Sequence, residues 1–180
     1  SGLDNNILTE DSKPGSGFLS QLAMEWEESS RFYENSKTKI INLRLGNVLD
    51  KEGIFLKIMT KLSKLRIRSI GSGNQVWPWI SIEDVIGVVE FILDSNYLEG
   101  PINVVSPQLT TANEFLQAIS EKINNKGYVS LPSLLIKYST NKLSQHALLN
   151  NYPLSPRILT TNNYNFKIPT IKDAVNTYLF

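Results

Sequence analysis

Apolar positions along the chain fall into stretches with a spacing of three to four, separated by short runs in which they crowd together. Phe18, Leu22 and Trp26 recur every four residues, with Leu19 and Ala23 beside them, which predicts a helix running to about Tyr33 with one apolar stripe. Lys39 to Leu45 is a short β-rich run, closed by Gly46. Ile54, Phe55, Ile58, Met59, Leu62 and Leu65 repeat the helical spacing, and Ile70 to Gln75 is a glycine-rich turn leading into a run from Val76 to Ile80. Ser81 then opens a helix carried inward by Val85, Val88, Val89, Ile92 and Leu93, its hydroxyl suited to accept a free backbone N–H and Asp84 placed at the positive helix end. Ile102 to Val105 reads as a strand. Thr111 and Glu114 have the spacing of a capping box ahead of the Phe115, Ile119 and Ile123 stripe.

Further on, Tyr128 to Leu131 predicts a strand and Pro132 the first position of a helix through Leu134, Leu135 and Tyr138, with helix continuing to Leu149. Asn150 to Asn165 reads as loop, as do Ser1 to Gly17, and Thr170 to Asp173 caps a last short helix through Ala174 and Tyr178. Strands alternating with helices imply an α/β fold built on a parallel sheet with covered faces. In such sheets ligands sit at the carboxyl ends of the strands, so the segment after Leu45 is the first place to look. No first βα turn of the form G-x-G-x-x-G is present; Gly71-Ser72-Gly73 follows a helix rather than opening one.

Composition narrows the chemistry. With 41% hydrophobic and 19% charged residues over 180 positions, the chain can bury a core. Eighteen basic residues against seventeen acidic ones give a net charge of +1, which offers no grip on a nucleic acid or an anionic membrane. No cysteine and a single histidine, His146, exclude a disulfide framework, a thiolate nucleophile, a Cys-based zinc site and a His-rich metal cluster. Neither a signal segment nor an apolar run near the roughly 20 residues of a membrane span occurs, so the expected location is cytoplasmic. A chain opening on Ser1-Gly2 is expected to be part of a longer product.

Five strings, in order, resemble the extended short-chain dehydrogenase/reductases, and within them an NAD-dependent epimerase/dehydratase-like subgroup. They are LTEDS from Leu8, GFLSQLAMEWE from Gly17, RLGNVL from Arg44, IGSGNQVWPWISIEDV from Ile70 and GPINVVSPQLTTANEF from Gly100. The resemblance implies that residues 1–180 are the C-terminal, substrate-side part of a Rossmann-like parallel sheet with a small substrate-binding subdomain, the N-terminal nucleotide-binding part being absent. It implies a cofactor, NAD or NADP, in the full-length parent, with no tight binding by this chain alone. Gly46, Asn47 and Val48 match the segment approaching the nicotinamide end, and Gln75, Trp77 and Trp79 match the strand lining the substrate cleft. Partners are a small polar or nucleotide-linked substrate and either a second copy or the N-terminal half. The family's acid/base Tyr and Lys register on Leu19 and Ala23, which have no proton to give. Asn163-Tyr164 replaces the subgroup's Gly-Phe.

Several of these residues have plainer readings. Trp77 and Trp79, flanking Pro78, are either a stacking wall for a substrate or core filling. Arg44, in an apolar strand, is expected in a structural ion pair, and His146 on a surface or interface. Glu83 and Asp84 belong to a helix start rather than to acid/base chemistry. The Phe18/Leu22/Trp26 stripe is expected to pack on the sheet or on a partner helix. Two functions follow: hydride exchange with a nicotinamide, in which this chain alone is inactive, or a non-catalytic binding or assembly protein that retains the fold.

Overall fold

The computed structural model describes residues 7–32, 37–125, 128–139 and 142–179. The expected loop over residues 1–6 and the expected helix end at Tyr33 lie outside them. The elements are α1 (Phe18–Arg31), β1 (Ile41–Leu45), β2 (Asn47–Leu49), α2 (Ile54–Lys64), β3 (Ile67–Ile70), β4 (Trp79–Ser81) and α3 (Ile82–Leu93). They continue with β5 (Gly100–Val104), α4 (Ala112–Lys122), β6 (Val129–Leu131), α5 (Ser133–Ser139), α6 (Lys142–Leu149), α7 (Arg157–Thr161) and α8 (Ile171–Tyr178). Three strand pairs, β1·β5, β2·β4 and β3·β6, are all parallel, as the alternation predicts.

Local chemistry sets the helix starts. Ser81 accepts from the Asp84 N–H at 3.0 Å, Thr111 and Glu114 cap each other reciprocally, and Thr170 accepts from the Asp173 N–H at 3.2 Å. The run from Val76 holds a short strand that starts only at Trp79, because Pro78 has no N–H for a ladder; Val76 makes only an isolated antiparallel bridge with Thr111. One expectation is corrected. The segment Asn150 to Asn165 contains α7, which starts after Pro156.

Two apolar clusters hold the chain together. One gathers α2, α4 and α8 around Trp77, Trp79 and Phe115, with Phe55, Trp77 and Phe115 meeting edge to face at centroid distances of 5.4–6.0 Å. The other lies between α3, α7 and one face of β1·β5, around Val88, Ile102, Val104 and Leu159.

The opposite face of β1·β5 is polar, and this decides how α1 sits. Asn42 accepts from the Ser30 hydroxyl at 3.2 Å and Arg44 binds Glu27, so α1 meets the sheet through Glu27 and Ser30. The apolar stripe is turned about a quarter turn away. It does not pack on the sheet: Phe18 is 77% exposed and Trp26 78%. The far edge of β5 is closed by Glu10, which accepts from the Asn103 N–H at 3.2 Å, whereas the far edge of β1 carries no strand among the described residues.

Candidate functional site

Residues Ile41 to Leu49 are one extended run that changes partner at Gly46. The Gly46 N–H donates to the Val104 carbonyl at 3.1 Å, and one residue later the Asn47 N–H donates to the Pro78 carbonyl at 2.8 Å. The chain thus leaves the carboxyl end of β1·β5 and enters β2·β4 in a single step. Only glycine fits there: a Cβ on Gly46 would lie 2.9 Å from the Trp79 nitrogen and 3.0 Å from the Pro78 carbonyl carbon. The Asn47 side chain also donates to the Pro78 carbonyl, at 2.9 Å, and Val48 pairs with Ile80.

The sequence-derived cofactor segment, Gly46 to Val48, therefore lies directly against the sequence-derived substrate segment through Pro78 and Trp79. The side chains of that second segment point inward. Trp77 and Trp79 are each 1% exposed; the Trp79 indole N–H donates to Thr110 Oγ1 at 2.9 Å and that of Trp77 to the Leu148 carbonyl at 3.2 Å. Gln75 is buried, with its Nε2 donating to the carbonyls of Ile70 and Leu148 at 2.8 and 2.9 Å. Within this chain the two tryptophans fill the core, and Gln75 and Trp77 hold the end of α6 in place through the Leu148 carbonyl.

Reading the sequence did not single out Glu10. Its side chain is almost fully buried, and Oε1 accepts from the N–H groups of Asn103 and Ile158, both at 3.2 Å. Arg157 Nε stands 3.9 Å from Oε2, and Arg44 Nη1 donates to the Glu10 carbonyl at 3.4 Å. Arg44 also grips Glu27, so its expected ion pair is present, and a line of charge runs from α1 across β1 to the start of α7. The Arg44 hydrogen bonds hold the Glu27 carboxyl below its usual value, against the opposing effect of burial. The LTEDS string that contains Glu10 was visible, but a lone acid in a polar segment looks solvated.

Asp84 is likewise more than a helix-start charge. Fully buried, it accepts from the N–H groups of Lys167 and Ile168 at 2.7 and 3.0 Å and from the Ser81 hydroxyl at 2.6 Å. The Tyr164 hydroxyl reaches its backbone carbonyl at 3.2 Å.

The N-termini of α3, α4 and α8 are filled by their own caps, the turn into α2 carries Asp50 and Glu52, and α1, with Gly17 at its N-cap, has no side-chain cap. Among the described residues no group of acidic, His or Cys side chains is placed to hold a metal.

No family model matches the chain. It is 29% identical over 172 residues to the epimerase family protein Mb2239 of Mycobacterium bovis, covering 95% of this chain and 57% of that protein. It is 30% identical over 169 residues to the epimerase family protein SDR39U1 of Mus musculus, covering 92% of this chain and 57% of that protein. The crystal structure of human epimerase family protein SDR39U1 (isoform 2) with NADPH superposes with a TM-score of 0.87 at 28% identity, over 97% of this chain and 59% of that one. The chain is a homologue of the epimerase family proteins. It spans a little over half their length and has the Rossmann-like α/β fold of extended short-chain dehydrogenase/reductases.

In this epimerase family homologue Leu19 and Ala23 sit on exposed parts of α1, and neither supplies an acid or a base. His146 is exposed on α6, with Nδ1 2.8 Å from the Asn150 side-chain nitrogen.

Proposed function

We propose that this chain is the substrate-side part of a nicotinamide-dependent oxidoreductase or epimerase. The cofactor, NAD or NADP, exchanges hydride with a small polar or nucleotide-linked substrate. Gly46, Asn47 and Val48 meet the nicotinamide end, and Gln75, Trp77 and Trp79 shape the substrate side by fixing the backbone rather than by touching the ligand. The observation that carries this reading is the partner switch at Gly46. It lies at the carboxyl end of a parallel strand pair, where α/β folds bind ligands, in a chain whose fold superposes closely on an NADPH-bound relative.

The dinucleotide phosphates are bound by a further nucleotide-binding part, which lies against the open edge of β1 and the exposed stripe of α1; a second copy of this chain is the other occupant of that face. The assembly works in the cytoplasm. Proton transfer does not come from α1, since Leu19 and Ala23 stand where the family's acid/base pair registers. That same pair favours the second reading, a binding or assembly protein without chemistry.

Saturation transfer from the chain to millimolar NADPH tests the nicotinamide contact. The nicotinamide ring protons should be marked more strongly than the adenine protons. Equal marking, or marking dominated by adenine, overturns the assignment of Gly46 to Val48.

A further inference from the structure

Beyond the carboxyl ends of β3 and β6 lies a second place where the fold can take a ligand. β3 ends at Ile70 and turns at Gly71, which has a positive φ of 60°; β6 ends at Leu131 and passes through Pro132 into α5. The helices α5 and α6 close over this end of the strand pair. They are tied together by the Gln145 side chain, whose Nε2 donates to the Lys137 carbonyl at 2.9 Å. Leu149 rests on the turn, where a Cβ on Gly71 would come within 3.1 Å of its Cδ2.

Between the two helices is a cleft of about 400 Å³ lined by Lys137, Gln145, His146, Leu149 and Asn150, a size suited to a small molecule. Two of these five side chains are cationic or can become so, two are amides, one is apolar, and none is a carboxylate. Lys137 takes part in none of the ion pairs among the described residues, although carboxylates neutralise Arg44, Lys57 and Arg157 elsewhere. The histidine is pre-set as a donor. The Asn150 amide nitrogen can only donate, so Nδ1 accepts from it and the neutral ring carries its proton on Nε2. Both protonation states of His146 therefore offer an N–H at Nε2, beside the three N–H bonds of the Lys137 ammonium.

We propose that this cleft binds the phosphate of an organic phosphate, with Lys137 supplying charge and the His146 Nε2–H a directed hydrogen bond. Leu149 forms an apolar floor for the carbon atom next to the phosphate. Phosphate is matched here by a point charge and a neutral or charged donor that line one cleft with no carboxylate among its five lining side chains. The site stands on the residues of this chain alone and does not require the nicotinamide reading.

The chain has one histidine, so its imidazole Cε1–H resonance is a single, unambiguous reporter. Inorganic phosphate and inorganic pyrophosphate are titrated at fixed pH, with sodium chloride at matched ionic strength as the control. A saturable shift of that resonance with either phosphate, absent with chloride, is the expected result. Pyrophosphate binding more tightly than phosphate points to a diphosphate-bearing ligand, and equal affinities point to a monophosphate. Lys137→Ala, at an exposed position, should weaken the apparent affinity about tenfold, as loss of one charge-assisted contact does. His146→Gln should do likewise, read by the methyl resonances of Leu149. A shift that chloride reproduces, or an affinity unchanged by Lys137→Ala, overturns the proposal. Because the reporter is His146, its silence leaves the nicotinamide test with NADPH unaffected, and the reverse is equally true.

Discussion

Arg44 holds Glu27 through two parallel hydrogen bonds, Nε to Oε1 and Nη2 to Oε2, both 2.7 Å. This bidentate pair is the main tie between α1 and the sheet, for α1 buries no residue of its own. Arg44→Ala should therefore lower the hydrogen-exchange protection of α1 several-fold while leaving α4 and α8 unchanged, since an exposed pair contributes only about 1 kcal/mol or less to the whole fold. The tie is also pH-dependent. Because the folded Glu27 carboxyl titrates below its usual 4.5, its stabilisation is fully present above that value and fades as pH falls through the lower folded one. In Glu27→Gln that acid-side loss of α1 protection should vanish.

Trp26 and Trp77 should respond in opposite ways to truncation. Trp77 is 1% exposed, so Trp77→Ala should destabilise the chain by about 3–5 kcal/mol. Trp26 is 78% exposed, and Trp26→Ala should change the unfolding free energy of the isolated chain, read by denaturant titration, by no more than about 0.5 kcal/mol. Equal losses in the two variants would show that α1 packs its stripe within the chain after all.

Asp84 joins the start of α3 to the segment before α8. Asp84→Ala removes the acceptor for one buried and one partly buried N–H group and should cost about 3–6 kcal/mol, at about 1.5–3 for each charge-assisted bond. The milder probe is Tyr164. Burial first, and then the Asp84 carboxylate, push its phenol above the usual 10.0. The unfolded chain thus loses this proton more readily than the folded one, and stability falls as pH climbs past 10. Tyr164→Phe should cost about 1 kcal/mol at neutral pH and flatten that alkaline decline in urea titrations.

Gly46→Ala should cost about 1–3 kcal/mol, because the added methyl meets backbone atoms of Pro78 and Trp79 that cannot rotate away. Loss of the Asn47 and Val48 amide protection, seen before that of α4, would locate the damage at the partner switch. Unchanged stability would mean that β2·β4 shifts to make room.

What the sequence revealed was mostly what its neighbours along the chain decide. The caps at Ser81, Thr111 and Thr170 were legible because donor and acceptor lie three residues apart. The period of Phe18, Leu22 and Trp26 marked a helix but not the direction its stripe faces, which is set by Asn42 and Arg44 on a strand formed later in the chain. Glu10 was not singled out and Asp84 read only as a helix-start charge, because the groups that bind them, Asn103 with Ile158 and Lys167 with Ile168, are distant in sequence. The alternating tryptophans left wall and core equally open, and the packing of Phe55 and Phe115 around Trp77 places that ring in the core. The segment pairing of Gly46 to Val48 with Pro78 to Ile80 was foreshadowed only by the family resemblance that gave both a place at one cleft.

The division of labour between this chain and a separate phosphate-binding part is tested most directly by calorimetric titration of the chain with NADH and NADPH, with light scattering for mass. Without a G-x-G-x-x-G turn opening a helix for the pyrophosphate, binding should be weaker than about 1 mM, or about 4 kcal/mol of affinity. The open β1 edge and the exposed α1 stripe should make the preparation self-associated or partner-bound. Micromolar binding of either cofactor by a clean monomer would contradict the account.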